Sequence, residues 1–335
     1  MSNAEANRVA FFSSKCYDQE MFEPLAQTSG LLIDFKEARL DQTTVSLAAG
    51  ARHVCVFVND EVNTFVVEQL ANFGVEHIAL RCAGYNNVDI DACSKANIKV
   101  SHVPSYLPEA VAEHAIALIL TLNRKMHKAY NRVKEGNFAL QGLLGFTMHS
   151  KTIGVIGTGN IGKAFVRIAL GFGCKVLCSD PNPDDALISL NCQYVDLPEL
   201  FAKSDIVSLH CPLVKQTQHI INSDSIAQMK PGVMIINTSR GGLIDTASLI
   251  NGLKSKHVGF VGLDVYEMES DLFFRDRSCE VIQDDLFQRL STFHNVLITG
   301  HQGFFTAEAV TEIATTTLAN ITDLNNGQPA TARFL

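Results

Sequence analysis

The stretch GVIGTGNIG, residues 154–162, constrains this chain more than any other part of it. Its G-x-G-x-x-G spacing follows a β-branched, apolar run at 152–157 and precedes a helix-compatible segment at 161–171. That strand–turn–helix setting turns a weak glycine pattern into a strong one. Gly157 permits a tight turn, Gly159 lets the backbone approach a pyrophosphate, and Gly162 allows the helix to pack closely on the strand. Amides at the helix start, those of Asn160 and Ile161 included, are placed to meet phosphates. Asp180 closes the next predicted strand. A carboxylate there suits the ribose hydroxyls of NAD and repels the 2′-phosphate of NADP, and the following PNPDD brings no arginine to accept one. The competing reading of Asp180 is a turn cap.

Such a loop ordinarily opens its domain, yet residues 1–153 come first. Those residues hold their own alternation. Strands are predicted at 8–14, 31–36, 53–59, 77–82 and 98–103, with helix-compatible segments at 18–27, 43–49 and 64–72 between them. Alternation of this kind implies a parallel sheet covered on both faces. From 109 to about 129 runs one long helical pattern, apolar on nearly every face in its middle. A helix like that is buried on all sides, between domains or at a subunit contact. A long loop follows at 135–150. The second series places strands at 152–157, 174–179, 205–209, 233–238, 259–265 and 296–299, with helices at 161–171, 197–202, 223–228 and 246–254. Six strands in this order match a Rossmann domain. The last helix, 306–324, has no strand of its own to cover and is expected to return to the first domain.

The expected architecture is therefore α/β, with two doubly wound parallel-sheet domains. Residues 1–102 and 301–335 form one, and a nucleotide-binding Rossmann domain, 103–300, is inserted in it. Composition fits a globular protein with two cores: 47% of residues are hydrophobic and 19% charged. A net charge of −8 without a basic run argues against nucleic acid or an anionic membrane as partner. Nine cysteines without a C-x-x-C pair point to reduced thiols in a cytoplasmic protein. The longest purely apolar run, 115–120, is too short to span a bilayer, and residues 1–8 lack the apolar core of a secretory signal.

Ligands of open α/β sheets bind beyond the carboxyl ends of the strands. Three stretches fall there: NTSRGG (237–242), GLDVYEMES (262–270) and ITGHQGFF (298–305). Together they offer Arg240, Asp264, Glu267, Glu269 and His301. Hydride transfer to a 2-keto acid needs a carboxylate clamp, an acid for the carbonyl oxygen and a partner that keeps the acid protonated. Arginine suits the clamp, being planar and always charged. Histidine suits proton exchange near neutral pH, and a nearby carboxylate favours its imidazolium form. Spacing alone does not choose between Glu267 and Glu269. The bland readings are a surface ion pair for Arg240, an ordinary histidine for His301 and a solvated acid for Glu269.

With these motifs in view, the chain resembles the D-isomer-specific 2-hydroxyacid dehydrogenases, most of all the bacterial fermentative D-lactate dehydrogenases. The resemblance runs from about Val9 to the C-terminal helix. It rests on RCAGYNNVD (81–89), VPSYLPEAVAEHA (103–115), GTGNIG, NTSRGGLID (237–245), DVYEMESDLFF (264–274), and IQDDLFQRL (282–290) with NVLITGHQGFFT (295–306). It implies catalysis by Arg240, Glu269 and His301, Glu269 being the glutamate five residues beyond Asp264. It also implies that Asp264 contacts the nicotinamide carboxamide, and that Cys211, Pro212, Thr217, Thr238 and Ser239 line NAD. Ala83 and Gly84 would hold the substrate carboxylate beside Arg240, while Tyr106 and Phe304 would close a pocket round a methyl group. Gly303 stands where close relatives usually have alanine, which would loosen that pocket.

The resemblance further implies that the first domain, flavodoxin-like, binds substrate and that the reaction lies between the domains. The expected activity is NAD-dependent reduction of pyruvate to D-lactate without a metal, because Arg240 and His301 supply the electrophilic help. The apolar 115–122 helix suggests a homodimer or higher homo-oligomer. The rival enzyme readings are reductases of hydroxypyruvate, glyoxylate or branched-chain keto acids. The rival of another class is an NAD-sensing, corepressor-like binding protein.

Overall fold

The computed structural model describes residues 7–269 and 272–327. Its contacts divide the chain into two compact units, one up to Leu107 and again from Phe305, the other from Pro108 to Phe304. These divisions fall a few residues beyond the expected borders at 102/103 and 300/301. Pro108 starts a helix that packs on the second sheet, and the amides of Gln302 and Gly303 bond to Asp264 of that sheet.

The first unit holds β1 (Arg8–Phe11), β2 (Leu32–Phe35), β3 (His53–Val56), β4 (His77–Leu80) and β5 (Lys99–Ser101). They form one parallel sheet in the order β2-β1-β3-β4-β5, the flavodoxin-like arrangement. β3 and β4 are buried throughout, as parallel strands covered on both faces must be. The C-terminal helix, Ala307–Asn325, packs on the Cys16–Ser29 helix and on β4, so it does return to this sheet. Its end is pinned where Asn325 Oδ1 accepts from Arg52 Nη1 at 2.9 Å. Just past the carboxyl ends of β1, β3 and β4 lies a buried charge cluster. Arg81 Nε is 3.4 Å from Asp18 Oδ1, its Nη2 donates to Ser13 O at 2.9 Å, and its guanidinium lies over the Phe11 and Phe57 rings.

The second unit contributes β6 (Thr152–Ile156), β7 (Lys175–Ser179), β8 (Gln193–Tyr194), β9 (Ile206–Leu209), β10 (Val233–Asn237), β11 (Val258–Leu263) and β12 (Val296–Ile298). All run parallel in the order β12-β11-β10-β9-β6-β7-β8, the Rossmann order with one strand added at the far edge. The strand missing from the sequence reading is β8. It has two residues and exists only through its pairing with Leu177 and Cys178 of β7, so it has no periodicity to detect. The long helical pattern is two helices, Pro108–Arg124 and Met126–Lys134, broken where Lys125 adopts φ +51°.

The apolar face of the first of these helices is covered within its own unit. Ala115, Ile119 and Leu122 are buried with Ile153, Phe165 and Ile236 in one cluster. Burial inside the chain accounts for that face; Ala117 is exposed, and Leu120 and Thr121 are partly so. Exposed apolar surface lies further on, at Met126, Tyr130, Val133, Phe138, Leu140 and Leu144. None of the nine cysteines is in a disulfide; only Cys16 and Cys279 are exposed. Among the described residues no helix is long and apolar enough to cross a membrane.

Candidate active site

The glycine loop leaves β6 at the switch point, where β9 lies on one side of β6 and β7 on the other. Gly157 takes φ +93°, and a Cβ on it would stand 2.6 Å from Cys211 N, just after β9. A Cβ on Gly162 would meet Gly157 O at 2.1 Å. Both glycines are therefore required by the protein's own packing. Gly159 differs: a Cβ there meets nothing within 4 Å, so its bareness serves space outside the chain. Gly159 is also the N-cap of the Asn160–Gly171 helix, and no side chain caps that end. The first amides, at Asn160 and Ile161, are left for an anion.

Asp180 follows β7 and is held on both oxygens. Oδ2 accepts from Thr158 N at 2.7 Å and Oδ1 from Asn182 N at 2.8 Å. It is thus a turn cap, yet each carboxylate oxygen keeps a lone pair for a ribose hydroxyl. The groups behind it carry no sequence signal. Tyr194 OH donates to Thr158 Oγ1 at 2.9 Å and accepts from Asp184 N at 3.0 Å, and Lys163 pairs with Asp184. Lys163 therefore already has its carboxylate. No motif announces Tyr194, because it arrives on β8.

Cys211, Pro212, Thr217, Thr238 and Ser239 lie on two successive strand ends. Ser239 Oγ donates to Cys211 O at 2.7 Å and Thr217 Oγ1 to Pro212 O at 2.6 Å. Thr238 Oγ1 is buried without a hydrogen-bond partner. These residues fit a dinucleotide: open space at Gly159, uncapped amides, a carboxylate with free lone pairs and an orphaned hydroxyl.

Buried Asn237 ends β10 and pins the next turn. Its Nδ2 donates to Arg240 O at 2.8 Å and its Oδ1 accepts from Ser239 N at 3.0 Å. Arg240, half-buried, donates from Nη1 to Ser239 O at 2.7 Å, and no carboxylate pairs with it among the described residues. Gly241 lets this turn lie directly on the segment after β11, since a Cβ there would be 2.0 Å from Tyr266 C.

That segment carries both candidate glutamates, and their partners differ. Glu267 Oε1 lies 2.7 Å from His219 Nε2, and its Oε2 accepts from Thr246 Oγ1 at 2.8 Å. Glu269 Oε1 lies 3.0 Å from His301 Nδ1, and its Oε2 accepts from Tyr266 N at 3.0 Å. The Phe274 ring is 5.6 Å from the imidazole. Arg240 forms no direct bond with this pair.

Asp264, at the end of β11, is 1% exposed and turned inward. Burial pushes its carboxyl up, but hydrogen bonds from His114 and Thr299 and the Gln302 amide outweigh that and hold it at about 2. Both oxygens are engaged within the protein, by Gln302 N, Gly303 N, Thr299 Oγ1 and His114 Nε2. An alanine Cβ at Gly303 would stand 3.0 Å from Asp264 Oδ2 and 3.4 Å from His114 Cδ2, so the glycine relieves this cluster.

The residues expected to touch substrate are divided. Ala83, Gly84 and Tyr106 belong to the first unit; Arg240, Glu269, His301 and Phe304 belong to the second. Ala83 O faces His102 Nδ1 at 2.9 Å and Gly84 O accepts from Cys82 Sγ at 3.2 Å, which fixes that loop after β4. Tyr106 is half-buried and Phe304 is buried.

Residues 116–303 match the family model described as D-isomer specific 2-hydroxyacid dehydrogenase, NAD binding domain. The chain is 52% identical over 321 residues to the D-lactate dehydrogenase of Escherichia coli (strain K12), covering 96% of this chain and 98% of that one. Among solved structures it is similar to the pyruvate reductase of Chlamydomonas reinhardtii, at 44% identity and a TM-score of 0.92, covering 98% of this chain and 99% of that one. It is also similar to the D-lactate dehydrogenase of Aquifex aeolicus complexed with NAD and lactic acid, at 33% identity and a TM-score of 0.85, covering 95% and 96%.

Proposed function

Because this chain belongs to the D-isomer specific 2-hydroxyacid dehydrogenases, an NAD-binding family, we propose that it is a D-lactate dehydrogenase that reduces pyruvate. The observation that carries the chemistry is the His301–Glu269 pair, 3.0 Å from Nδ1 to Oε1. Held by a carboxylate on Nδ1, the imidazole presents Nε2 as a proton donor to the carbonyl oxygen. The Tyr266 amide on the other glutamate oxygen keeps that carboxylate aimed. Arg240 has no carboxylate partner among the described residues and supplies a planar, bidentate clamp for the substrate's. The dinucleotide, when bound, supplies the hydride for C2. Gly159 with the Asn160 and Ile161 amides would hold its pyrophosphate and Asp180 its ribose, on a loop whose fold Gly157 and Gly162 permit, and the strand ends from Cys211 to Ser239 would line its remainder.

In this proposal Ala83 and Gly84 share the substrate carboxylate with Arg240, while Tyr106 and Phe304 bound its methyl group. Exposed Phe138, Leu140 and Leu144 support a homodimer formed through this segment. The absence of a disulfide among the nine cysteines supports a reducing, cytoplasmic setting.

The test is a panel of small 2-keto acids with NADH and NADPH, with chiral analysis of the products. D-Lactate from pyruvate at ordinary enzyme rates is the expected result. A higher kcat/KM for hydroxypyruvate, glyoxylate or a branched-chain keto acid would move the reading to that substrate. NADH binding without turnover would move it to a sensor. His301→Asn should lose about 10²–10⁴-fold in turnover while NADH binding changes little.

A further inference from the structure

The turn that carries His301 is held from behind by a chain of hydrogen bonds that reaches a helix distant in sequence. His301 itself adopts φ +55°, a conformation that a non-glycine residue keeps only where its surroundings over-determine it. Asp264 provides that constraint. Its carbonyl accepts from His301 N at 2.7 Å, and its carboxylate accepts from Gln302 N at 2.9 Å and Gly303 N at 2.7 Å. Three successive amides of the turn therefore converge on one residue. The carboxylate is oriented in turn by Thr299, whose hydroxyl donates to Oδ1 at 2.5 Å, and by His114. His114 Nε2 lies 3.0 Å from Thr299 Oγ1 and 3.2 Å from Asp264 Oδ1. The Thr299 proton is committed to the carboxylate, so its oxygen faces His114 as an acceptor, and Nε2 must carry a hydrogen. His114 comes from the Pro108–Arg124 helix, far away in sequence.

We propose that His114 is a positioning residue: as an Nε2–H donor it orients the Asp264 carboxylate and the Thr299 hydroxyl, and through them sets where His301 presents its ring. This role rests on His301 being the acid. His114 itself touches neither substrate nor proton path. Its effect on rate arises because displacement of a reacting group by a fraction of an ångström to one ångström is costly in turnover while leaving ligand affinity nearly intact.

Four single variants and one double variant of the full chain test the proposal. His114→Leu removes the donor, His114→Gln keeps an N–H at similar reach, Thr299→Val removes the hydroxyl link, and His301→Asn removes the acid. The expected result is a fall in kcat for pyruvate of about tenfold in His114→Leu and in Thr299→Val, with the NADH dissociation constant, read by fluorescence titration, within about twofold of wild type. His114→Gln should recover most of kcat. Adding His114→Leu to His301→Asn should cost less than about twofold more, because a residue that acts only through His301 has nothing left to act on. Wild-type kcat in His114→Leu would overturn the proposal. So would His114→Gln as slow as His114→Leu, or a double variant slowed by the product of the single effects. If His114→Leu does not fold, Thr299→Val with His301→Asn carries the same double test. A fast His301→Asn enzyme would instead overturn the acid assignment, so the two failures are distinguishable.

Discussion

Replacing Glu269 by Gln keeps the shape of the side chain and removes its charge from beside His301. Two unit charges 3.0 Å apart interact by about 1.4 kcal/mol in bulk water and about 5.5 kcal/mol at an effective dielectric of 20. The two side chains are 21% and 15% exposed, which places the pair between those limits. The glutamine carbonyl still accepts the Nδ1 hydrogen bond, so only part of the attraction is lost. Removing the carboxylate charge withdraws part of the attraction that favours the protonated ring. Pyruvate reduction needs the protonated ring, so the falling limb of kcat/KM against pH should move to lower pH. D-Lactate oxidation needs the neutral ring, so its rising limb should move the same way. Glu267→Gln should leave both limbs in place, because Glu267 faces His219 and Thr246. The assay is kcat/KM from about pH 5 to 10 in both directions at saturating cofactor. Unmoved limbs in Glu269→Gln, or a larger displacement in Glu267→Gln, would refute the reasoning.

Asp180→Ala should lower kcat/KM for NADH, because the Thr158 and Asn182 amides lose their acceptor, and should raise NADPH use only modestly, because Lys163 stays paired with Asp184. Equal wild-type kcat/KM for the two cofactors would contradict it. Tyr106→Ala should shift the ratio of phenylpyruvate to pyruvate efficiency upward by about 1–3 kcal/mol at most; an unchanged ratio removes Tyr106 from the pocket. Arg81→Met should destabilise the first unit by about 3–5 kcal/mol in denaturant unfolding, since it leaves buried Asp18 without its cation. A loss below about 1 kcal/mol would show that the Lys15 amide, which also donates to Asp18, suffices.

Features that depend on local sterics were legible in the sequence. Gly157 and Gly162 can be nothing else, since any Cβ would enter neighbouring backbone, and that requirement stands in the spacing itself. The alternation of strands and helices gave both sheets for the same reason. What depends on partners distant in the chain was not legible. Glu267 and Glu269 have the same chemistry two residues apart, and only the fold sends one to His219 and the other to His301. The two-residue β8 has no pattern of its own. Lys125 breaks a helix through a backbone angle that no lysine advertises. The 115–122 segment reads as buried on all sides, but Ala117 is exposed and Leu120 and Thr121 are partly so; the buried face is covered by β10, β11 and the Asn160–Gly171 helix of its own unit.

The seven interior cysteines make this chain its own reporter of opening. Burial pushes the thiols of Cys55 and Cys178 up to about 12. At neutral pH only about one in 10⁵ of such groups is thiolate, so a maleimide reacts with Cys16 and Cys279 and finds the rest silent. Cys55 sits in β3 and Cys178 in β7, one in each unit. Each becomes alkylated only in molecules whose surrounding sheet has come apart. Where reclosing outruns the reagent, the labelling rate measures the population of the open form. Mass spectrometry of peptides from one labelling time course thus yields two opening free energies from an unmutated chain. A dinucleotide seated after β6 protects Cys178 by its own binding free energy, and Cys55 keeps its original rate unless opening of one unit drags the other with it.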